Sequence, residues 1–534
     1  MSLDEAITSA VQATEVVRVL SGVSAGSTGQ TIYDPAITNT QVDQARAVFD
    51  PNLVTGHNFF RFESPSAIID PGAPFGARIV GTDSESYNFD LGVVQQKASG
   101  GTARLNVNAN PTRIDVPGLA LNPSSRSSLD LSFTQPLLQG AGRTVNQAPI
   151  IIARIDTERS YFQLKDSVQE LVRSVIDGYW GLVAARTELW ARQRQIEQAE
   201  FAFEFFDAQR QTGRADLGDT AQAAVSLANF RANLIATRAN LLNREAAFRN
   251  VLGLPPGDDR RIEPTTAPLE RQLVADWESL LINAEANRPD IIELKLILEA
   301  DQQRLLLANN QALPQLDATA LYRWNGLEGE TPAGPTIRTR GGQFTEWQMG
   351  VNFSVPLGLR AGRAQLRQLE LVIARDRALL DQQMHAVEHS LAQSLRNLEQ
   401  LYAQYEAFHA VREASKANLD RQMALFRVGG VRSEQINYLN VLQAITDWGN
   451  SVTAEAQSLT AYNAELATLQ REQGVILENH GIRFLEERYG SIGPLGRLAH
   501  DVCYPRAEVP QRNAENYGDT GMAAEESFNL KDGL

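Results

Sequence analysis

The chain has one cysteine, Cys503, six histidines, 7% aromatic residues and no run of eighteen apolar residues. Each scarcity closes a class. A single thiol forbids an intrachain disulfide, and its position near the carboxyl end rules it out as an amino-terminal lipid attachment site. Without a long apolar run there is no transmembrane helix. That absence says nothing against a β-barrel, whose strands alternate. Phosphate-cradling glycine loops, a nucleophile elbow and clustered cysteine pairs are also missing. Among the histidines, His57, His409, His480 and His500 are scattered. His385-Ala386-Val387-Glu388-His389 fits the inverted zinc-protease pattern, with two imidazoles four apart on one helical face. With Met384 and Leu391 on the apolar seam beside it and no third ligand evident, the pattern reads better as the solvated stripe of a long helix. The sequence thus predicts no enzyme, cofactor or metal.

What the chain does have is a duplication. Phe133, Pro136, Leu137, Ala141, Gly142 and Arg143 recur as Phe353, Pro356, Leu357, Ala361, Gly362 and Arg363 at a constant offset of 220 positions, Phe133 to Phe353. Six identities in eleven positions exceed what average composition would give, so this junction reads as a repeated structural device. Heptads follow each copy. Val168, Val175, Leu182, Leu189, Ile196 and Phe203 step by seven, and Leu227, Leu234, Leu241 and Phe248 do the same on a returning helix. In the second copy, Tyr438, Ile445, Val452, Leu459 and Leu466 are shadowed by Val441, Trp448, Tyr462, Leu469 and Ile476. Such a period winds helices into left-handed, knobs-into-holes pairs. Gly213 and the pair Gly429 and Gly430 mark the turns between arms. Segments 144–212 and 363–428 then predict helices of roughly 100 Å each.

Ahead of each helix lies strand alternation. Thr345, Trp347, Met349, Val351, Phe353 and Val355 interleave with Glu346, Gln348, Gly350, Asn352 and Ser354. Leu316, Ala318, Ala320, Tyr322 and Trp324 alternate with polar neighbours, as do Leu129, Leu131 and Phe133. Alternation alone suits a soluble antiparallel sheet or an outer-membrane barrel strand. Helical hairpins far longer than a sheet could cover leave the apolar strand faces without an internal partner, which favours lipid or other subunits. Tyr322, Trp324, Phe344 and Trp347, around the 325–343 loop, sit where an aromatic girdle is expected. A barrel needs at least eight strands, so closure calls for several copies.

In these residues the chain resembles the TolC-like outer-membrane efflux proteins. The resemblance spans about residues 2–480. It rests on Leu3-Asp4-Glu5-Ala6-Ile7, the junctions at Pro136 and Pro356, Val251-Leu252-Gly253-Leu254-Pro255 and Asn287-Arg288-Pro289-Asp290-Ile291. It implies an α+β fold, mostly long coiled-coil hairpins with an outer-membrane β-barrel portion, in tandem repeat and assembled as a homotrimeric tunnel. The implied partners are outer-membrane lipid, a periplasmic adaptor and an inner-membrane RND or ABC transporter. The implied role is the exit duct of tripartite efflux or type I secretion in a Gram-negative envelope. A coiled-coil scaffold with a soluble sheet is the alternative. The net charge of −15, tripled in a trimer, disfavours nucleic acid and favours cations in a shared lumen.

The implied divisions are an N-terminal helical segment 1–50, strands 51–137, a helical hairpin 138–254, a linker 255–313, strands 314–357, a second hairpin 358–480 and a partly disordered tail 481–534. One departure from the family's two strands per repeat stands out. Tyr87, Phe89, Leu91 and Val93 alternate in one extra segment, and Ala103, Leu105, Val107 and Ala109 in the next, joined at Ser99-Gly100-Gly101 and flanked by polar loops 64–86 and 111–126. This hairpin, 87–110, either enlarges a barrel to about eighteen strands or stacks outside it. By resemblance, the hairpin tips line a periplasmic gate: Gly213 and Asp219, then Phe426, Arg427, Gly429, Gly430, Arg432, Glu434 and Asn437. Phe426 matches the family's aromatic position and Arg432 lies near its basic one, but Asn437 and Asn440 stand where aspartates commonly follow. Met1-Ser2-Leu3-Asp4-Glu5 has no secretory-signal pattern, and Leu3–Ile7 resembles a first mature helix, so the expectation is a late start or a processed form.

Overall fold

A computed structural model describes residues 1–22, 24–116, 118–212, 217–257, 261–428, 438–492, 498–507, 522–524 and 526. The chain opens with α1 (Leu3–Gln12), β1 (Val16–Ser21), β2 (Ser24–Thr31) and α2 (Asp34–Ala47). Four strands follow: β3 (Asn52–Ile69), β4 (Ala77–Gln96), β5 (Thr102–Ile114) and β6 (Ser124–Pro136). Next come α3 (Arg143–Gln211), α4 (Leu217–Val251), α5 (Trp277–Asn287) and α6 (Pro289–Gln311). The second set of strands is β7 (Gln315–Glu330), β8 (Thr336–Arg338) and β9 (Phe344–Ser354). After them run α7 (Arg360–Val428), α8 (Tyr438–Glu472), α9 (Ile476–Asn479), β10 (Phe484–Ile492) and β11 (Leu498–Ala507).

Contacts divide the chain into two units. One comprises residues 1–37, 157–296 and 378–534, and the other 38–156 and 297–377. The first is built on the helical heptads. Val168, Val175, Leu182, Phe248, Ile445, Val452, Leu459 and Tyr462 are buried, as the seven-residue step requires. The arms are tied within each pair: Arg231 on α4 meets Glu200 on α3, and Ser415 on α7 meets Ser451 on α8 at 2.7 Å. Helix α1 is started by a capping box, Ser2 with Glu5, and buries Leu3, Ala6 and Ile7 in the same core. The linker between α4 and α5 is an extended strap. Tyr179 Oη accepts from the Thr265 and Thr266 amides, Tyr462 Oη from the Leu273 amide, and Asn463 bonds both backbone groups of Leu269. Buried hydroxyls and a carboxamide thereby satisfy backbone groups that no sheet or helix serves.

The second unit holds the main sheet. Its strand order is β3-β4-β5-β6-β7, all antiparallel, with β9 on the far side of β7 and the short β8 pairing only the Glu328–Glu330 end. The hairpin of β4 and β5 therefore lies inside the sheet, between β3 and β6, rather than stacked outside it. Strands run well past the alternating segments. Residues 64–69 and 77–86, expected in a polar loop, continue β3 and β4 with register kept from Asn52↔Val94 to Ile69↔Ala77. Ladder hydrogen bonds need no alternation of side chains, so a paired ribbon continues where the apolar pattern stops. Two further hairpins depart from the sequence reading. Residues 16–31, placed in a helical segment, form β1 and β2, because Val16, Val17 and Val19 favour a strand and Gly22 turns the chain with φ 63°. In the tail, β10 pairs β11 from Phe484↔Ala507 to Ile492↔Leu498.

Candidate functional site

A sheet six long strands wide sorts its residues into two faces by the period of two. Across the register, Thr55, Leu91, Val107, Leu129, Trp324 and Thr345 form one row, and Leu53, Val93, Leu105, Leu131, Tyr322 and Trp347 another. These rows share one face. They are mostly apolar, and apart from the half-buried Trp324 their hydrophobic side chains are uncovered, from Leu91 at 37% exposed to Trp347 at 71%. Between them run rows of the opposite kind: Val54, Gly92, Asn106, Asp130, Arg323 and Glu346, then Gly56, Asp90, Asn108, Ser128, Asn325 and Phe344.

The polar face is a connected ladder. Asn106 Nδ2 donates to Asp90 at 2.7 Å and to Asn108 at 2.9 Å. Asn108 donates in turn to Ser128 and Asp130. Arg323 grips Asp130 with two bonds, at 2.7 and 3.0 Å, and reaches Glu346 at 3.7 Å. On the same face Asn110 donates to Asn88. Neighbouring strands are thus tied on this face by groups that water would also satisfy, which suits a wet surface.

The aromatic girdle differs from the sequence expectation at one residue. Tyr322, Trp324 and Trp347 do share the apolar face, with Tyr322 and Trp324 rings 4.6 Å apart. Phe344 does not, because it pairs with Asn325 and so falls on the polar rows. Parity in β9 was readable, but proximity to the loop is a weaker cue than parity. Toward the β3 edge of the same face the sequence reading missed a matching cluster: Phe59 stacks on Tyr87 at 4.4 Å, and His57 Nδ1 meets Tyr87 Oη at 2.6 Å beside Phe89. Just beyond it the same face turns charged, with Arg61 bonded to Asp83 at 2.8 Å. An apolar band ending in aromatics and then charges is the profile of a lipid-facing strand.

In the helical unit the Arg-Pro-Asp motif has a clear physical task. Pro289 opens α6 at a position where a missing amide costs nothing. Arg288, 8% exposed, donates to both Asp290 oxygens at 3.0 and 2.8 Å, to the Glu472 carbonyl at 3.0 Å, and forms an ion pair with the Glu472 carboxylate. Gln383 bonds Asp290 and Ser390 bonds Glu472, each at 2.7 Å, so α6, α7 and α8 meet at one cluster. Burial pushes the Asp290 and Glu472 carboxyls up, but the Arg288 guanidinium and the donated hydrogen bonds more than reverse this and hold both below the usual carboxylate range.

Of the gate residues named from the sequence, three are described. Gly213, Gly429, Gly430, Arg432, Glu434 and Asn437 fall outside the described residues. Asp219 is in the first turns of α4, while Phe426 and Arg427 are in the last turn of α7. Asn440 is exposed on α8. His385 and His389 are exposed on α7 with rings 4.5 Å apart, and no group of three or more potential metal ligands occurs among the described residues. The pair has no third ligand there.

Comparison with known proteins places this geometry. Residues 37–254 match the outer membrane efflux protein family. The outer membrane efflux protein BepC of Brucella suis is 23% identical over 355 residues, covering 66% of this chain and 71% of the relative. Among solved structures, a membrane protein from Pseudomonas aeruginosa superimposes with a TM-score of 0.60 at 18% identity, over 88% of this chain and 93% of that one. The open MtrE outer membrane channel of Neisseria gonorrhoeae gives 0.58 at 18% identity, over 89% of each chain. The outer membrane protein VceC of Vibrio cholerae gives 0.55 at 15% identity, over 88% of this chain and 96% of that one. The chain thus has the fold of these outer membrane channels, and its residues 37–254 match the outer membrane efflux protein family.

Proposed function

We propose that this protein is the exit duct of an efflux or type I secretion system, a passive conduit that carries substrates from an inner-membrane transporter across periplasm and outer membrane. The carrying observation is the sheet. It has an uncovered apolar face with aromatic margins, a hydrogen-bonded polar face, and one bare edge on each of β3 and β9. Because the sheet has an even number of long strands, β3 and β9 run in opposite directions. Identical copies can therefore close a ring by antiparallel pairing, which removes the edges. Three copies, as the family resemblance implies, give a homotrimer whose apolar face meets lipid and whose polar face meets water. The two helical hairpins, repeated in tandem, carry the tunnel into the periplasm.

At the tips, Gly213, Asp219, Phe426, Arg427, Gly429, Gly430, Arg432, Glu434 and Asn437 form the aperture that an adaptor and an RND or ABC transporter open. Driving energy comes from that pump, and nothing in the chain calls for chemistry of its own. A scaffold with a soluble sheet is disfavoured by the uncovered apolar rows. The test is reconstitution: purified protein mixed with lipid vesicles is floated on a gradient and run unheated on a denaturing gel. Co-flotation as a heat-sensitive trimer supports the duct. A monomer left in the aqueous fraction contradicts it.

A further inference from the structure

The geometry points to a membrane wall wider than the family's twelve-stranded pattern: β4 and β5 are two full staves, so that three copies close a barrel of eighteen strands with a charge-balanced, carboxamide-rich lining. This rests on the duct reading. Three observations carry it. First, β4 is hydrogen-bonded to β3 on one side and β5 on the other, and β5 to β6, so the hairpin interrupts the direct pairing that β3 and β6 would otherwise make. Second, parity is unbroken across it. Leu91, Val93, Leu105 and Val107 share the face of Leu129 and Leu131, while Asp90, Asn106 and Asn108 share that of Asp130 and Arg323. A hairpin stacked outside the wall would have no reason to keep a polar row in register with the lumen. Third, inserting two strands leaves the terminal strands antiparallel, so ring closure is unaffected.

Barrel diameter grows roughly linearly with strand number, so eighteen strands give a bore about half again as wide as twelve. Barrels of 16–18 strands are the size that leaves an open aqueous channel. The lining rows set what that channel reads. Asp130 and Glu346 face Arg323, and Asp90 faces Arg104 at 3.8 Å, with Asn88, Asn106, Asn108 and Asn110 between. Asp90, Asp130 and Glu346 on this face are each answered by an arginine. The wall therefore suits bulky hydrophilic cargo of either charge, and cation preference, if the assembled duct has it, arises elsewhere in the chain.

Spin labelling of the trimer in lipid nanodiscs tests this directly. In a Cys503→Ser background, single labels are placed through Leu91→Cys and Val107→Cys in the hairpin, Asn106→Cys on its other face, and Leu131→Cys on β6 as the reference. Labels at 91, 107 and 131 are expected to relax with oxygen dissolved in lipid and to be shielded from a water-soluble nickel chelate, with the order reversed at 106. If 131 reports lipid while 91 and 107 report water, the hairpin lies outside the wall and the inference fails. If 131 also reports water, the duct reading itself fails. Electron cryomicroscopy of the same trimer provides an independent count, with eighteen strands expected and twelve overturning the proposal.

Discussion

The two halves of this chain agree in their helices and differ in their strands. Helices α3 and α7 are both 69 residues long, and α4 and α8 are both 35. Yet the first half supplies β3, β4, β5 and β6 to the sheet, and the second supplies β7 and β9 with the short β8. Helices that interlock by heptads constrain one another, since a change in one arm shifts every knob beyond it out of its hole. An antiparallel sheet has no such memory. Two more strands can enter it at the level of a hairpin, provided that parity is kept, without disturbing either edge. Even the shared junction sequence is used differently in the two halves. Gly142 stands outside α3 with φ 102°, where Asn310 clamps the nearby Gly140 amide. Its counterpart Gly362 is inside α7, where a Cβ would come within 2.8 Å of the Ala312 Cα.

The largest expected effect tests the helical side. Arg288→Ala leaves Asp290 and Glu472 buried without their partner, and should cost about 3–5 kcal/mol in urea or heat denaturation. Both carboxyls are held low in the folded state. The stability they supply is present above the unfolded carboxylate range of about 4 and is lost as pH falls through their lowered values. The parent should therefore lose stability in that acid window, and the variant should lose much less there. Equal acid sensitivity in both would separate the cluster from the helical register.

On the strand side, Val107→Arg in the inserted hairpin and Leu131→Arg in β6 should weaken assembly alike, by about 2–4 kcal/mol if both face the middle of the bilayer. Thermal midpoints of the assembled protein in detergent check this. A cheap arginine at 107 beside a costly one at 131 would break the equivalence of the two strand sets.

The junction comparison predicts a smaller difference in kind. Gly142→Ala and Gly362→Ala should each cost about 1–3 kcal/mol, the first through a left-handed backbone and the second through a clash. Adding Ala312→Gly removes only the Cβ contact and leaves the Cα one, so it should relieve the second in part and leave the first unchanged. Rescue of both would mean that the two glycines are used in the same way.

Smallest is Asp301→Asn. Burial and the neighbouring Asp376 carboxyl raise the Asp301 carboxyl, while Arg375 holds Asp376 low. A raised carboxyl supplies its stability at low pH and loses it as pH rises, so at neutral pH the substitution should stabilise by at most about 1 kcal/mol. A lower midpoint at pH 7 would contradict the assignment of strain to Asp301.

Much of this was legible before any coordinates. Heptads from Val168 to Phe203 marked α3, and alternation from Tyr87 to Val93 and from Ala103 to Ala109 marked β4 and β5. Strand length was not legible, because pairing beyond the apolar band leaves no pattern in the side chains, as in residues 77–86. The Arg288 cluster was equally hidden, since its partner Glu472 is 184 residues away and only the tertiary structure brings them together. Phe344 was assigned by its nearness to a loop when its parity with Asn325 decides the face.

The measurement closest to the central claim is single-channel conductance of the purified protein in a planar lipid bilayer. The account predicts discrete conducting steps that grow when Phe426 and Arg432 are changed to alanine. A protein that inserts yet carries no current, with or without those substitutions, would contradict it.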